Sequence, residues 1–259
     1  MGIFLRFPIL GLVVLTALRD RLFAALGVVL AVAMGGAVLF GGAALVEQEE
    51  TAVVLAAGAA RLVLAVGLVT FVATQVQRLY DSREIEVLLA RPLGRPRLVA
   101  GLAAGMAVVA VLPALAVALA LAPFAPSLAG WAAWAVTLAA EVVIVVLFTL
   151  AAALVLERAV TATLAGLAFY AAARLMTFIL GVVEARSRFA VGGLGGEVMG
   201  WVVIAVGAIV PRLDLFAHSG WLVHGVSDSA PLLIAGAQLA VAAPLLVAVA
   251  ALDLSRKRF

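Results

Sequence analysis

Six runs of more than twenty residues, at about 22–46, 52–77, 97–121, 131–156, 159–183 and 232–252, carry almost no charge. About 20 apolar residues in a helix cross the roughly 30 Å hydrocarbon layer of a bilayer. No water is available there to satisfy exposed backbone, so a run of this kind crosses as a helix that closes its own hydrogen bonds. A membrane barrel would instead show segments of about 10 alternating residues, and the sequence has none. The expected fold class is an all-α integral membrane protein with six transmembrane helices. Composition agrees, with 67% hydrophobic and 12% charged residues, against about 25% charged in soluble domains.

The formal net charge is +3. In a soluble chain a basic balance would raise the question of nucleic acid. Here no nucleic-acid partner is expected, because arginine and lysine placement sets membrane topology. With the amino terminus in the cytoplasm, Arg6, Arg19, Arg21, Arg78, Arg83, Arg91, Arg95, Arg97, Arg158, Arg256, Lys257 and Arg258 share the inner face, and only Arg186, Arg188 and Arg212 lie in outer loops. The expectation is a multi-pass protein of the bacterial inner membrane with both termini cytoplasmic. Glu47, Glu49 and Glu50 then face outward, and Trp131 and Trp134 are expected at the outer membrane boundary, where indole rings are favoured.

The opening "RFPILGLVVLTAL" has the charged and apolar parts of a signal peptide but no small-residue cleavage site. "RDRLF" then leads directly into the next apolar run. Residues 1–21 are expected as an interfacial elbow helix over Met1–Leu18, anchored by Arg19 and Arg21. Near the other end, "VMGWVVIAVGAIV" (198–210) is 13 residues long, about 20 Å as a helix and too short to span. Residues 184–231 are therefore expected as an external re-entrant or interfacial segment, a form tolerated where protein or a wet cavity shields the backbone.

Three charges fall inside predicted spans: Arg61, Glu141 and Arg174. Each costs about 2.5–3.5 kcal/mol to insert unpaired, so Glu141 is expected to pair with Arg174 or Arg61. The cluster either lines a translocation route or locks the helix bundle. Pro113 and Pro244 are candidate kinks. Small residues in "AMGGAVLFGGAA" and "GLAAGMA" suggest close packing of helices or subunits. There is no cysteine, so thiolate chemistry is absent. His218 and His224, near Asp214 and Asp228, do not define a metal site, and Asp214 is expected to turn the chain after Pro211. No catalytic residues, bound cofactor or metal are expected.

The stretch "REIEVLLARPLGRPRLVAG" (Arg83–Gly101) gathers four arginines, two glutamates and two prolines between spans two and three. Ile85, Leu88 and Leu89 recur at helical spacing and share a face, and Arg83 and Glu86 can pair three residues apart. Pro92 disfavours helical geometry at Arg91, while Gly94 and Pro96 make a turn. The expected product, residues 80–97, is a short amphipathic helix joined by a stiff corner to the third span.

This order of residues resembles the connector between spans two and three of type-2 ABC exporter permeases. The matching elements are Glu84 and Glu86, Leu88-Leu89, Ala90-Arg91, Pro92, Arg95 and Gly101. Many members carry Gly-Thr after the first glutamate, where this chain has Ile85-Glu86-Val87. "TALRDRLFAALGVVLA" looks like the family's elbow helix and first span. "AIVPRLDLFAHSGWLVHG" (208–225) looks like the Pro-x-Leu-Asp-x-Phe stretch of the branch associated with multicopper-enzyme maturation. The resemblance implies one permease domain over residues 1–259, paired as a homodimer in membrane lipid and driven by two copies of an ABC ATPase subunit. It makes Arg83, Glu84, Ile85, Glu86, Leu88, Leu89, Arg91, Pro92 and Arg95 the coupling helix and turn that meet the ATPase. ATP and Mg would bind the partner, since this chain lacks a glycine-rich loop ending in Gly-Lys-Ser/Thr. A cytochrome c haem-exporter-like permease shares the six-span plan. A secondary transporter and a membrane-embedded enzyme are the readings from other classes.

Overall fold

The computed structural model describes residues 8–43, 47–82, 94–188, 211–226 and 228–256. Among them are eight α-helices, two short 3-10 turns and no strand: α1 (Pro8–Arg19), α2 (Arg21–Gly41), α3 (Gln48–Asp81), α4 (Arg95–Leu121), α5 (Leu128–Leu156), α6 (Ala159–Arg188), α7 (Gly220–His224) and α8 (Ala230–Arg256). Six are long and apolar enough to cross a membrane: α2, α3, α4, α5, α6 and α8. They coincide with the six apolar runs, and the chain is an all-α membrane protein.

Boundaries differ where polar residues continue the helical pattern. The second span, expected over 52–77, begins at Gln48 and ends at Asp81, because Glu49 and Glu50 suit a helix N-terminus and Gln77, Arg78 and Tyr80 find partners on neighbouring segments. The first span, expected to reach 46, stops at Gly41. Prolines 113 and 244 lie within α4 and α8, neither of which they break. Ser127 starts α5 by accepting a bond from the Gly130 amide at 3.3 Å, the usual service of a serine N-cap. Glu157, with φ of 58°, ends it.

Of the elbow, α1 covers residues 8–19, and residues 1–7 lie outside the described part. It packs along α4, where Gly105 has no side chain and Val13 sits in the space: a Cβ there would come within 2.9 Å of it. Asp20 forms the corner between α1 and α2. Its buried carboxylate accepts from Gln75 Nε2 at 2.6 Å and pairs with Arg78, both on α3. The anchor of the elbow is thus the acid between Arg19 and Arg21, which those two basic neighbours hide in the sequence.

The end of α3 is tied twice more. Tyr80 donates its hydroxyl to the Leu154 carbonyl at 3.1 Å, and Gln77 Oε1 accepts from the Ala159 amide at 2.8 Å, supplying an acceptor at the start of α6. This basic end therefore joins α1, α3, α5 and α6. α5 is the central helix, packed on α3, α4, α6 and α8. α2 and α8 lie at the periphery, where Leu39, Phe40, Leu233 and Val241 are exposed, as a lipid-facing surface requires. At the opposite end a cleft of about 540 Å3 opens between α2, α3 and α4, with Val53, Ala56 and Leu121 in its wall and Glu49 and Glu50 on its lining.

Candidate functional site

Arg61 lies thirteen residues into α3 from Gln48, and Glu141 thirteen residues into α5 from Leu128. At 1.5 Å per residue both stand about 20 Å from those helix ends. Arg174 comes from the middle of α6. Of the two expected partners of Glu141, Arg174 is the one that pairs with it. Arg174 Nη1 is 3.8 Å from Glu141 Oε1, and the carboxylate is 1% exposed. Arg61 faces the same carboxylate at longer range.

Neither arginine gives its hydrogen bonds to Glu141. Arg174 Nη1 donates to the Leu213 carbonyl and approaches the Phe216 carbonyl at 3.4 Å. Arg61 Nη1 donates to the Ala217 carbonyl and lies 3.4 Å from that of Phe216. The acceptors belong to the segment before the last span, where Leu213–Leu215 form a 3-10 turn. Leu213, Phe216 and Ala217 are wholly buried. The segment expected as external and re-entrant therefore enters the helix bundle over residues 211–217 and leaves through α7. Of its other parts, residues 184–188 continue α6, 230–231 begin α8, and 189–210 lie outside the described residues.

The turn is held from every side. Ala217, with φ of 47°, donates its amide to Thr137 Oγ1 of α5 at 3.1 Å. That hydroxyl donates in turn to the Ala133 carbonyl at 2.7 Å. The Arg212 amide donates to Gln238 Oε1 of α8 at 3.0 Å, and the Arg212 guanidinium pairs with Asp214 at 3.2 Å. Asp214 thus sits in the turn after Pro211, as its position suggested. Gly130 of α5 lies so close to α7 that a Cβ there would stand 2.1 Å from the Trp221 carbonyl oxygen.

Magnitudes favour an anchoring role for the arginines. A hydrogen bond to a charged group contributes about 1.5–3 kcal/mol, comparable with the insertion cost of the arginine itself. Carbonyls at the end of a short helical turn present the negative end of its dipole, so two cations are accommodated with one carboxylate. Both Glu141 oxygens lack a hydrogen-bond partner among the described residues. Tyr170 of α6 stands beside the carboxylate without reaching hydrogen-bond geometry.

The reading of the tryptophans changes here. Trp134 is in the core at 0% exposure, and Trp131 donates Nε1 to the Ala118 carbonyl of α4 at 2.7 Å. Trp134, expected at the lipid boundary, instead packs helices together, while Trp131, near the start of α5, fastens that helix to α4. His218 stacks loosely against Trp221, ring centres 5.2 Å apart. Burial, with Arg174 and Arg61 nearby, holds its imidazole below the ordinary value, and Asp214 acts in the opposite sense. Among the described residues no group of three or more metal-ligating side chains occurs. Of the small-residue runs, Gly41 and Gly105 make close approaches, whereas Gly35 and Gly36 face open space.

Of the connector, Arg83, Glu84, Ile85, Glu86, Leu88, Leu89, Arg91 and Pro92 lie outside the described residues, and Arg95 opens α4. Sequence reading missed Thr137, Gln238, Asp20 and Gln75. Each is a polar residue in or beside an apolar span, which is the one signal that could have found it. Comparison of the sequence with protein-family models and with curated proteins returned no match.

Proposed function

We propose that the chain is the permease subunit of an ABC-type exporter, driven by a separate ATPase subunit that bears on the connector between α3 and α4. The observation that carries this reading is the residue order of that connector: Glu84, Glu86, Leu88-Leu89, Ala90-Arg91, Pro92 and Arg95 between two spans. The chain would work as a pair in a bacterial inner membrane, with the basic end of the bundle in the cytoplasm. ATP and Mg would be held by the partner.

The mechanics of α3 support the reading. It is one uninterrupted helix from Gln48 to Asp81, about 51 Å long at 1.5 Å per residue. Its last turns are tied to α1 through Asp20 and to the α5–α6 junction through Gln77 and Tyr80. A displacement delivered just beyond Asp81 would reach all of these elements together. Pro92 and Pro96 would keep the corner stiff, whereas a flexible linker would absorb the movement. Leu88 and Leu89 would fill an apolar groove on the ATPase, with Arg83, Glu84, Glu86 and Arg91 fixing the register.

The test is Leu88→Asp/Leu89→Asp in membranes that also hold an ABC ATPase with which the unaltered chain co-purifies. Stimulation of ATP hydrolysis by the permease should disappear while the folded chain persists. Unaltered stimulation in that variant rejects the coupling role.

A further inference from the structure

The buried carboxylate in the bundle core, Glu141, calls for an explanation. It is fully enclosed, it pairs with Arg174 only at 3.8 Å, and neither oxygen accepts a hydrogen bond among the described residues. A buried carboxylate without hydrogen bonds is costly, and such groups call for a physical reason. Neutralising the arginines is an incomplete one, because a carboxylate placed for that purpose would gain most by accepting directly from a guanidinium at about 2.7–2.9 Å.

We infer that residues 211–217 form an outer gate and that Glu141 is the acceptor to which Arg174 turns when this gate lifts. The inference rests on the transport reading for its purpose, and on the geometry for its existence. In the present state Arg174 turns Nη1, the nitrogen nearest Glu141, to the Leu213 and Phe216 carbonyls while Arg61 holds Ala217. If the turn withdrew with no substitute acceptor, a guanidinium would be stranded in a low-dielectric interior, and the open arrangement would be prohibitively high in energy. Glu141 removes that obstacle. An approach of about 1 Å by Arg174 makes a charge-assisted bond, so one set of donors has two discrete acceptor sets. Such alternatives are what make a packed element two-state.

The sign of the Glu141→Gln effect separates this role from simple charge balance. A neutral amide weakens both arrangements, but most of all the one in which Arg174 bonds it directly, so the gate becomes harder to open. Were Glu141 only a neutralising charge for the closed arrangement, its loss would loosen the turn. The chain has no cysteine, so single-cysteine reporters need no background removal. Leu222 on α7 is fully buried and His224 on the same helix is exposed.

The experiment measures the rate at which a water-soluble maleimide labels Leu222→Cys, normalised to His224→Cys, in the full chain in proteoliposomes without ATPase. Arg61→Gln should raise the rate at least tenfold, and Glu141→Gln should lower it at least threefold. Deuterium exchange at the Ala217 amide in the cysteine-free chain gives the same comparison should Leu222→Cys fold poorly. An increase with Glu141→Gln, or no change with either variant, overturns the inference. Should the labelling signs hold while the Leu88/Leu89 variant still couples normally to ATPase, the acceptor exchange stands and the transport reading falls.

Discussion

Arg61 on α3 donates a hydrogen bond to the carbonyl of Ala217, a residue 156 positions further along the chain. Together with Arg174 it fastens a buried turn to two transmembrane helices. Arg174→Lys should therefore behave as a loss, since the shorter lysine side chain does not carry its ammonium to the place of Nη1, between the Leu213 and Phe216 carbonyls. Thermal unfolding in detergent should show a loss of about 1.5–3 kcal/mol, and an unchanged midpoint would remove the anchoring role.

Gly130→Ala tests how closely α5 and α7 approach. The added Cβ would stand 2.1 Å from the Trp221 carbonyl oxygen and 2.9 Å from Gly225 Cα, and backbone must move to admit it. Overpacking of this kind costs about 1–3 kcal/mol. Gly27→Ala, where nothing lies within 4 Å, should be neutral or slightly stabilising, as alanine is the better helix former. Equal effects at the two sites in a denaturation series would contradict the described packing.

At the elbow, removing the acceptor should matter more than removing the exposed donor. Asp20→Ala strands Gln75, which is 8% exposed, and frees α1 from α3. Arg78→Ala removes a side chain that is 58% exposed, and screened pairs contribute little. Limited proteolysis between α1 and α2 should accelerate severalfold with Asp20→Ala and scarcely at all with Arg78→Ala. The reverse order would show that the charge pair, and not the buried amide bond, holds the corner.

Acid should loosen the turn through His218. Its folded-state value is lowered, first by burial and then by Arg174 and Arg61. The unfolded chain therefore binds a proton at higher pH than the folded one, so stability falls as pH drops through the ordinary histidine range, near 6.5. His218→Gln should flatten the decline in melting temperature between pH 7.5 and 5. A decline of the same size in that variant would place the acid-sensitive group elsewhere.

The six crossings could be read from the sequence because length and apolarity alone decide whether a segment suits a bilayer. The charges at Arg61, Glu141 and Arg174 were equally visible, since each is anomalous in its span. Their true acceptors were not, because the carbonyls of Leu213, Phe216 and Ala217 carry no side-chain signature. Trp134 misled for a related reason: near the start of a span an indole looks like a boundary anchor, and only the packing of α5 among four helices shows it to be core. Asp20 disappeared between two arginines, where a run of charge reads as solvated surface.

One consequence follows from the reach of α3. Its apolar part, from Ala52 to Val76, is 25 residues, about 37 Å, while the whole helix extends polar turns beyond it at both extremities. Upright and centred in a bilayer about 40–45 Å thick with its headgroups, α3 would carry Asp81 to the water at the edge of the headgroup layer. A soluble protein could dock against whatever follows it without first having to displace lipid.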